Sequence, residues 1–484
     1  MAAPLASITL SLVDLRPVTD RKSALYVLLT ADDVTGLGNI AANTVTALSD
    51  IPGAEISFTT ITSGRLYVGL EPFPNPPVPY GSSCYGWIEL TRTQDDEGVW
   101  LNLSNVDLLA LPLSVAGTLT GGSPFSLGFK TPVSTLMTQV QTSALVPGPA
   151  GLTAVLKAWT GQTMIAGPTI APQAYRPFDP YVDALTNASA PLLLTSDTPA
   201  GGAALTMSGS FLAAGNAFDP VVSLTSAAGD TLQITAANLT SAIIYRCDGG
   251  TLTFNGQIYP QNRTAANDPF GDPAQQVITN SLFRNLMIGL NEGYFTTAGP
   301  NDSTQFAGQV PFATGYGNPY AKVIHAGSNS YGYPYADDNL KVLVTADPSE
   351  PIVVSVLSQS MAEGYSADPA GSAANQPATG TYQFGIGAGS GALGPIRIGN
   401  WVYPANASGA FGGFLPALPD WTKMVFAGLG PDHFIWVRDG QVDAGTSLSA
   451  LGAWDPTGTV YAWPADLAWI SGATPPAYPG PVPL

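Results

Sequence analysis

The sequence is short of charge. Of its 484 residues, 16 are Lys or Arg and 34 are Asp or Glu, so charged residues make up 10% of the chain, far below the roughly 25% of an ordinary soluble domain. The net charge of −18, with no cluster among the few cations, argues against a nucleic-acid partner, which needs a basic stripe to meet phosphates. It argues equally against an anionic membrane surface. No apolar run reaches the ~18 residues of a membrane span, and the longest, Leu108 to Gly117, is broken by Pro112. Two histidines (His325, His433) and two cysteines (Cys84, Cys247) stand in no ligand-like spacing, so no zinc site is expected. No Gly-rich phosphate loop is present, and neither a metal nor a cofactor is expected. The cysteines form either one disulfide or two free thiols, because spacing does not supply the geometry. The N-terminal MAAPLASITLSLVDLRP has no basic n-region and alternates like a first strand. The expectation is a mature form, or a protein exported by another route.

What is abundant points to β structure. The chain carries 53 Gly and 43 Pro beside 18 Phe, 19 Tyr and 9 Trp, enough aromatic material to repay chain entropy. At this length two to four domains are expected. Short alternating runs (ASITLSLVDL, SALYVLLTA, AEISFTTI, GRLYVGLEP, CYGWIELTRT, GVWLNLSNVDLLALPL) are separated by Gly, Pro, Asn and Asp, the pattern of a sandwich or barrel. Two segments read as helices, Val133 to Thr142 and Pro273 to Phe295, the second with Pro273 in its first turn and Gly293 as a cap. Residues 185–245 read as an inserted β region rich in Ala, Ser, Thr and Gly, and Tyr365 to Gly380 as a linker. Beyond it lie six of the nine tryptophans (Trp401, Trp421, Trp436, Trp454, Trp463, Trp469) and a Pro-rich tail. Those tryptophans fit a carbohydrate-binding surface, a small β core or a subunit contact.

With so little nucleophilic or metal-ligating material, carboxylates are the candidates for chemistry. In YGWIELTRT the period of two places Ile88 and Leu90 on one face and Trp87, Glu89, Thr91 and Thr93 on the other. A Glu flanked by Trp and Thr suits sugar, since aromatic faces stack on pyranose rings and hydroxyls hold ring oxygens; a plain solvent-facing Glu fits the same pattern. Asp107 stands in an otherwise apolar strand, where a carboxylate needs partners or a task, unless it is a turn or cap residue. Two carboxylates on neighbouring strands are what glycoside hydrolysis uses.

Glu89-x-Thr91 followed by Trp100, Ser104 and Asp107 resembles the motif of glycoside hydrolase family 64. The segments RPFDPYVDAL (Arg176 to Leu185), IYRCDGG (Ile244 to Gly250, resembling a family strand), the GLNEGYF helix end and YAKVIHAGSNSYGYPYADDNL (Tyr320 to Leu340) resemble further parts of it. The resemblance covers roughly residues 5–357. It implies a mainly β protein, with a thaumatin-like β-sandwich in 1–170 and 301–360 and an inserted α/β subdomain in 171–300; beyond its reach, the residues themselves read as an additional C-terminal β domain in 381–470 and a Pro-rich tail in 471–484. The resemblance implies an endo-acting β-1,3-glucanase that inverts configuration, with Glu89 as general acid, Asp107 as general base, and Thr91, Trp100 and Ser104 at the substrate. Trp87, Thr93, His325, Tyr331 and Tyr333 complete the expected substrate-binding set. His325 contacts sugar at the cleft rim or bonds within its own strand; the tyrosines alternate as a platform or as core. An inverting pair stands about 6.5–9.5 Å apart, the acid holding a proton that a low-dielectric cleft helps it keep. A simple hairpin centred on Asp96 would leave Asp107 about 13 Å beyond Glu89 along the strand.

The chain departs from the family at Thr93, where Asn is usual, in the longer Asp95-Asp96-Glu97 loop, at the inserted Ala336 before Asp337 and Asp338, and at Glu292, where Arg is usual. β-1,3-Glucan is the expected partner, met outside the cell or at its surface, and self-association through the C-terminal region is possible on the same composition. Two other functions fit as well: a non-catalytic self-assembling protein of a surface layer, filament or virion, and a lectin-like glucan binder without turnover.

Overall fold

Alternating segments of the sequence become antiparallel strands, and among the described residues β-strands outnumber helices as the main regular structure. The computed structural model describes residues 5–365 apart from 17–22, 76, 78–82, 160–161, 262–271, 336–341 and 363, and beyond 365 only strands between Thr381 and Pro464. The chain divides into two compact units. Met1–Leu103, Ala110–Val133 and Val342–Leu484 form the first, and Ser104–Leu109 with Ser134–Lys341 the second.

In the first unit a five-stranded sheet runs Pro124–Leu127, Leu113–Thr118, Ile352–Val356, Ile8–Asp14, Glu55–Phe58. Its one parallel pair joins Ile8–Asp14 to Ile352–Val356, and all five residues of Ile352–Val356 are buried. A second sheet places Val99–Ser104, Tyr85–Arg92, Thr60–Gly69, Tyr26–Thr30 and Thr46–Ala47 side by side. Leu343–Ala346 pairs with Val99–Ser104, and Asp33–Thr35 with Thr60–Gly69. Gly86 fits this sheet because a Cβ there would stand 2.3 Å from the Leu111 carbonyl oxygen.

The second unit holds a six-stranded antiparallel meander, Pro191–Thr195, Thr206–Phe211, Pro220–Ser226, Thr231–Thr235, Thr251–Phe254, Gln257–Pro260. Its inward positions, among them Leu194, Met207, Leu224, Leu232 and Phe254, are buried. The helix Pro273–Asn291 contacts this meander. Asp272 caps it by accepting from the Ala274 and Gln275 amides, as an N-cap carboxylate preceding Pro should. The helix expected from Val133 runs to Gln139 and continues as a π-turn over Val140–Ala144.

Several local expectations change. Ile244 to Gly250 is not a strand: Ser241–Arg246 is a helix capped by Thr240, and Cys247 closes it in the left-handed region at φ 50°, a C-terminal device that ends helices. Asp179–Asn187 and Pro319–Gly327 are also helices. Cys84 and Cys247 are both buried and form no disulfide. Burial pushes the Cys84 thiol up to about 12, and Cys247 upward as well. Of the C-terminal tryptophans, Trp401, Trp436 and Trp463 fall on short strands. Trp421, Trp454, Trp469, His433, Asp337, Asp338, the inserted Ala336, residues 366–380 and the tail lie outside the described residues. Among the described residues no helix is long and apolar enough to cross a membrane.

Candidate active site

Glu89 sits on Tyr85–Arg92 directly opposite Arg65 of Thr60–Gly69. A β-bulge between the Ile61–Arg92 and Gly64–Leu90 pairs, where Ser63 takes φ 51°, precedes this register. Bulges re-aim the side chains beside them. The Arg65 Nε donates to Glu89 Oε1 at 3.1 Å, with the Glu89 side chain 27% exposed. Thr91 is half-buried and Thr93 exposed.

The loop after Thr93 is a closed turn. Asp96 accepts from the Thr93 amide. That backbone bond, with bonds from the Thr93 hydroxyl and the Trp100 side chain and the charge of Arg92, holds the Asp96 carboxyl below its ordinary range. Trp100 itself remains 43% exposed. Glu89, Thr91, Thr93 and Trp100 thus lie on two neighbouring strands and the turn that joins them.

Asp107 is not in a strand. The strand ends at Ser104, and Asn105, Val106 and Asp107 bend away before Leu108–Leu109 pairs with Gln162–Ala166. The bend is fixed by backbone bonds: the Asn105 amide donates to the Tyr331 carbonyl and the Gly167 amide to the Asp107 carbonyl. Continuing strand arithmetic through Asp107 therefore does not apply. The Asp107 carboxylate is half-buried and accepts from the Thr169 hydroxyl at 2.6 Å.

Four expected substrate contacts, Trp87, Ser104, Tyr331 and Tyr333, are buried, and a fifth, His325, has its ring nitrogens covered. Trp87 is 4% exposed, packed beside Tyr67 and Tyr85, because both faces of the strand are covered at that end; its indole nitrogen is buried without a partner among the described residues. Ser104 and Tyr331 are buried. Tyr333 is fully buried, its hydroxyl donating to Glu292. Tyr294 also bonds Glu292, so this buried carboxyl is held by two phenols. His325 lies on the helix Pro319–Gly327 rather than in a strand. Although part of the residue reaches the surface, both ring nitrogens are shielded and without a partner, and desolvation pushes the imidazole down to about 3. Phe312 and Tyr333 flank it, each with its ring centroid 6.3 Å away.

Arg65 and Thr169, the direct partners of the two candidate carboxylates, did not stand out in the sequence. Arg65 could have been found as a cation opposite Glu89 once strand register was known; Thr169, 62 residues from Asp107, has no local signal. Among the described residues no group of three His, Cys, Asp or Glu side chains could hold a metal ion.

No protein-family model and no curated protein matches the sequence. Solved structures similar to it include a β-1,3-glucanase domain (GH64) from Clostridium beijerinckii, at 15% identity and TM-score 0.46 over 74% of this chain and 100% of that one. A laminaripentaose-producing β-1,3-glucanase in complex with laminaritetraose is similar at 16% identity and TM-score 0.46, over 73% of this chain and 99% of that one. The GH family 64 laminaripentaose-producing β-1,3-glucanase from Paenibacillus barengoltzii, complexed with laminarihexaose, is similar at 13% identity and TM-score 0.42, over 73% and 75%. Likenesses this distant carry no argument about activity.

Proposed function

We propose that the protein hydrolyses β-1,3-glucan internally by single displacement, outside the cell or at its surface. Glu89 protonates the glycosidic oxygen as the bond to it breaks, and Asp107 takes a proton from the water that attacks the anomeric carbon from the opposite face. The observation that carries this reading is the Glu89-x-Thr91, Trp100, Asp107 motif, in which both carboxylates and the Trp100 ring reach solvent while most of their neighbours in sequence are buried. Thr91, Thr93 and Trp100 supply hydroxyls and an aromatic face for sugar. Thr169 orients Asp107, as a base must be held to act on a positioned water.

One observation favours a second reading, glucan binding without turnover. Glu89 Oε1 accepts from the Arg65 guanidinium, so one oxygen of the candidate acid is engaged by a cation rather than open to a glycosidic oxygen. Reducing-end release from laminarin, with the first-formed anomer followed by NMR, separates the two. Hydrolysis by inversion yields the α-anomer first, and Glu89→Gln and Asp107→Asn each lower the rate at least about 100-fold. Binding without product supports the second reading, and full activity in Glu89→Gln removes the first.

A further inference from the structure

We propose that Tyr316, in the second unit, is a stacking platform for a pyranose ring of a neutral saccharide. Its side chain is 43% exposed, yet its ring is not loose. It lies parallel to the ring of Tyr181, with centroids 4.6 Å apart and 6° between planes. Tyr181 is buried on the helix Asp179–Asn187, and its hydroxyl donates to the Phe295 carbonyl at 2.7 Å.

The backbone beneath Tyr316 is equally constrained. Gly315 and Gly317 take φ 81° and 105°. The Thr314 hydroxyl donates to the Gly293 carbonyl and accepts from the Tyr316 amide. The Tyr316 carbonyl comes so near Gly293 that a Cβ there would stand 2.4 Å from it. One face of the Tyr316 ring is spent on Tyr181, which fixes the orientation of a residue that remains 43% exposed, so binding costs little side-chain entropy. Phe218 makes the contrast: it is 85% exposed, but no ring contact among the described residues holds it.

The ligand class follows from the surroundings. The face of a phenol ring is the negative side of its quadrupole, and the axial C–H groups of a pyranose are its natural complement. Gln309 to Gly317 contains no charged residue, and the helix of Tyr181 adds only the carboxylates Asp179 and Asp183, so an anionic ligand finds no counter-charge on these segments. The platform shares no residue with the hydrolytic reading, and its ligand class comes from its own chemistry.

Calorimetric titration of the full chain carrying Glu89→Gln, which prevents turnover, with laminarihexaose and cellohexaose tests this. At least one hexasaccharide binds, Tyr316→Ala weakens it about fivefold or more while still unfolding in one cooperative transition, and Tyr316→Trp retains it. Equal binding by Tyr316→Ala, or binding of neither saccharide by the parent, overturns the proposal. So does a parent that sediments as an oligomer and becomes a monomer in Tyr316→Ala, which assigns the ring to a subunit contact. Failure of laminarin hydrolysis leaves this titration readable.

Discussion

The strands Tyr85–Arg92 of the first unit and Thr231–Thr235 of the second are both antiparallel, but solvent meets them differently. In Thr231–Thr235 the period of two is obeyed: Leu232 and Ile234 are buried, Thr231 and Gln233 exposed. In Tyr85–Arg92 six of eight residues are buried, including Trp87 and Arg92 on opposite faces of the strand. Where one face is solvated, an exposed polar side chain is what the pleat dictates and carries no information. Where both faces are covered, the positions that stay open, Glu89 and Thr91, are exceptions that the pleat alone does not dictate.

The contrast can be broken by mutation. Ile88→Ala, at a fully buried position, should cost about 2–5 kcal/mol in urea unfolding, whereas Gln233→Ala on the open face should change it by less than about 0.5 kcal/mol. Equal costs would mean the two strands are covered alike. The shielded His325 sharpens the same point through pH. Its folded pKa lies below the unfolded value, so the unfolded chain takes up a proton first as pH falls. Its contribution is intact above about 6.5, declines as pH drops from there toward about 3, and is constant below. Between pH 7 and 5 stability should fall by about 2 kcal/mol from this group, and His325→Leu should remove that part of the slope in denaturation midpoints measured across the range. Arg65→Ala should have a smaller effect, under about 1 kcal/mol, because the Arg65 side chain of its ion pair is 51% exposed. A larger loss would show that the pair is a structural tie of the sheet rather than a surface contact.

Much of this architecture was legible in the residues. Alternation located the strands containing Ile8, Tyr26, Ile56, Leu66, Ile88 and Leu101, and Pro273 marked the first turn of the long helix. What escaped depended on context. Trp87 has the parity of Glu89, yet lies under cover that only the folded sheet reveals. The apolar residues around Asp107 in VDLLALPL suggest a continuous strand, whereas the bend at 105–107 is imposed by partners at Tyr331 and Gly167, far away in sequence. His325 had a local signal that went unread: Asn318 followed by Pro319 is a helix start, and Asn318 accepts from the Tyr320 and Ala321 amides. At Cys247 the strand is implied by the family resemblance, whereas Thr240 caps a helix there.

The two buried thiols have a practical consequence. With their pKa values raised by burial, neither offers the thiolate that alkylating reagents attack, so modification must wait for the surrounding structure to open. Cys84 belongs to the first unit and Cys247 to the second. Pulse labelling in native buffer, read by mass spectrometry of the two cysteine peptides, therefore times the opening of each unit separately. The chain carries one internal clock per unit without the introduction of a single probe.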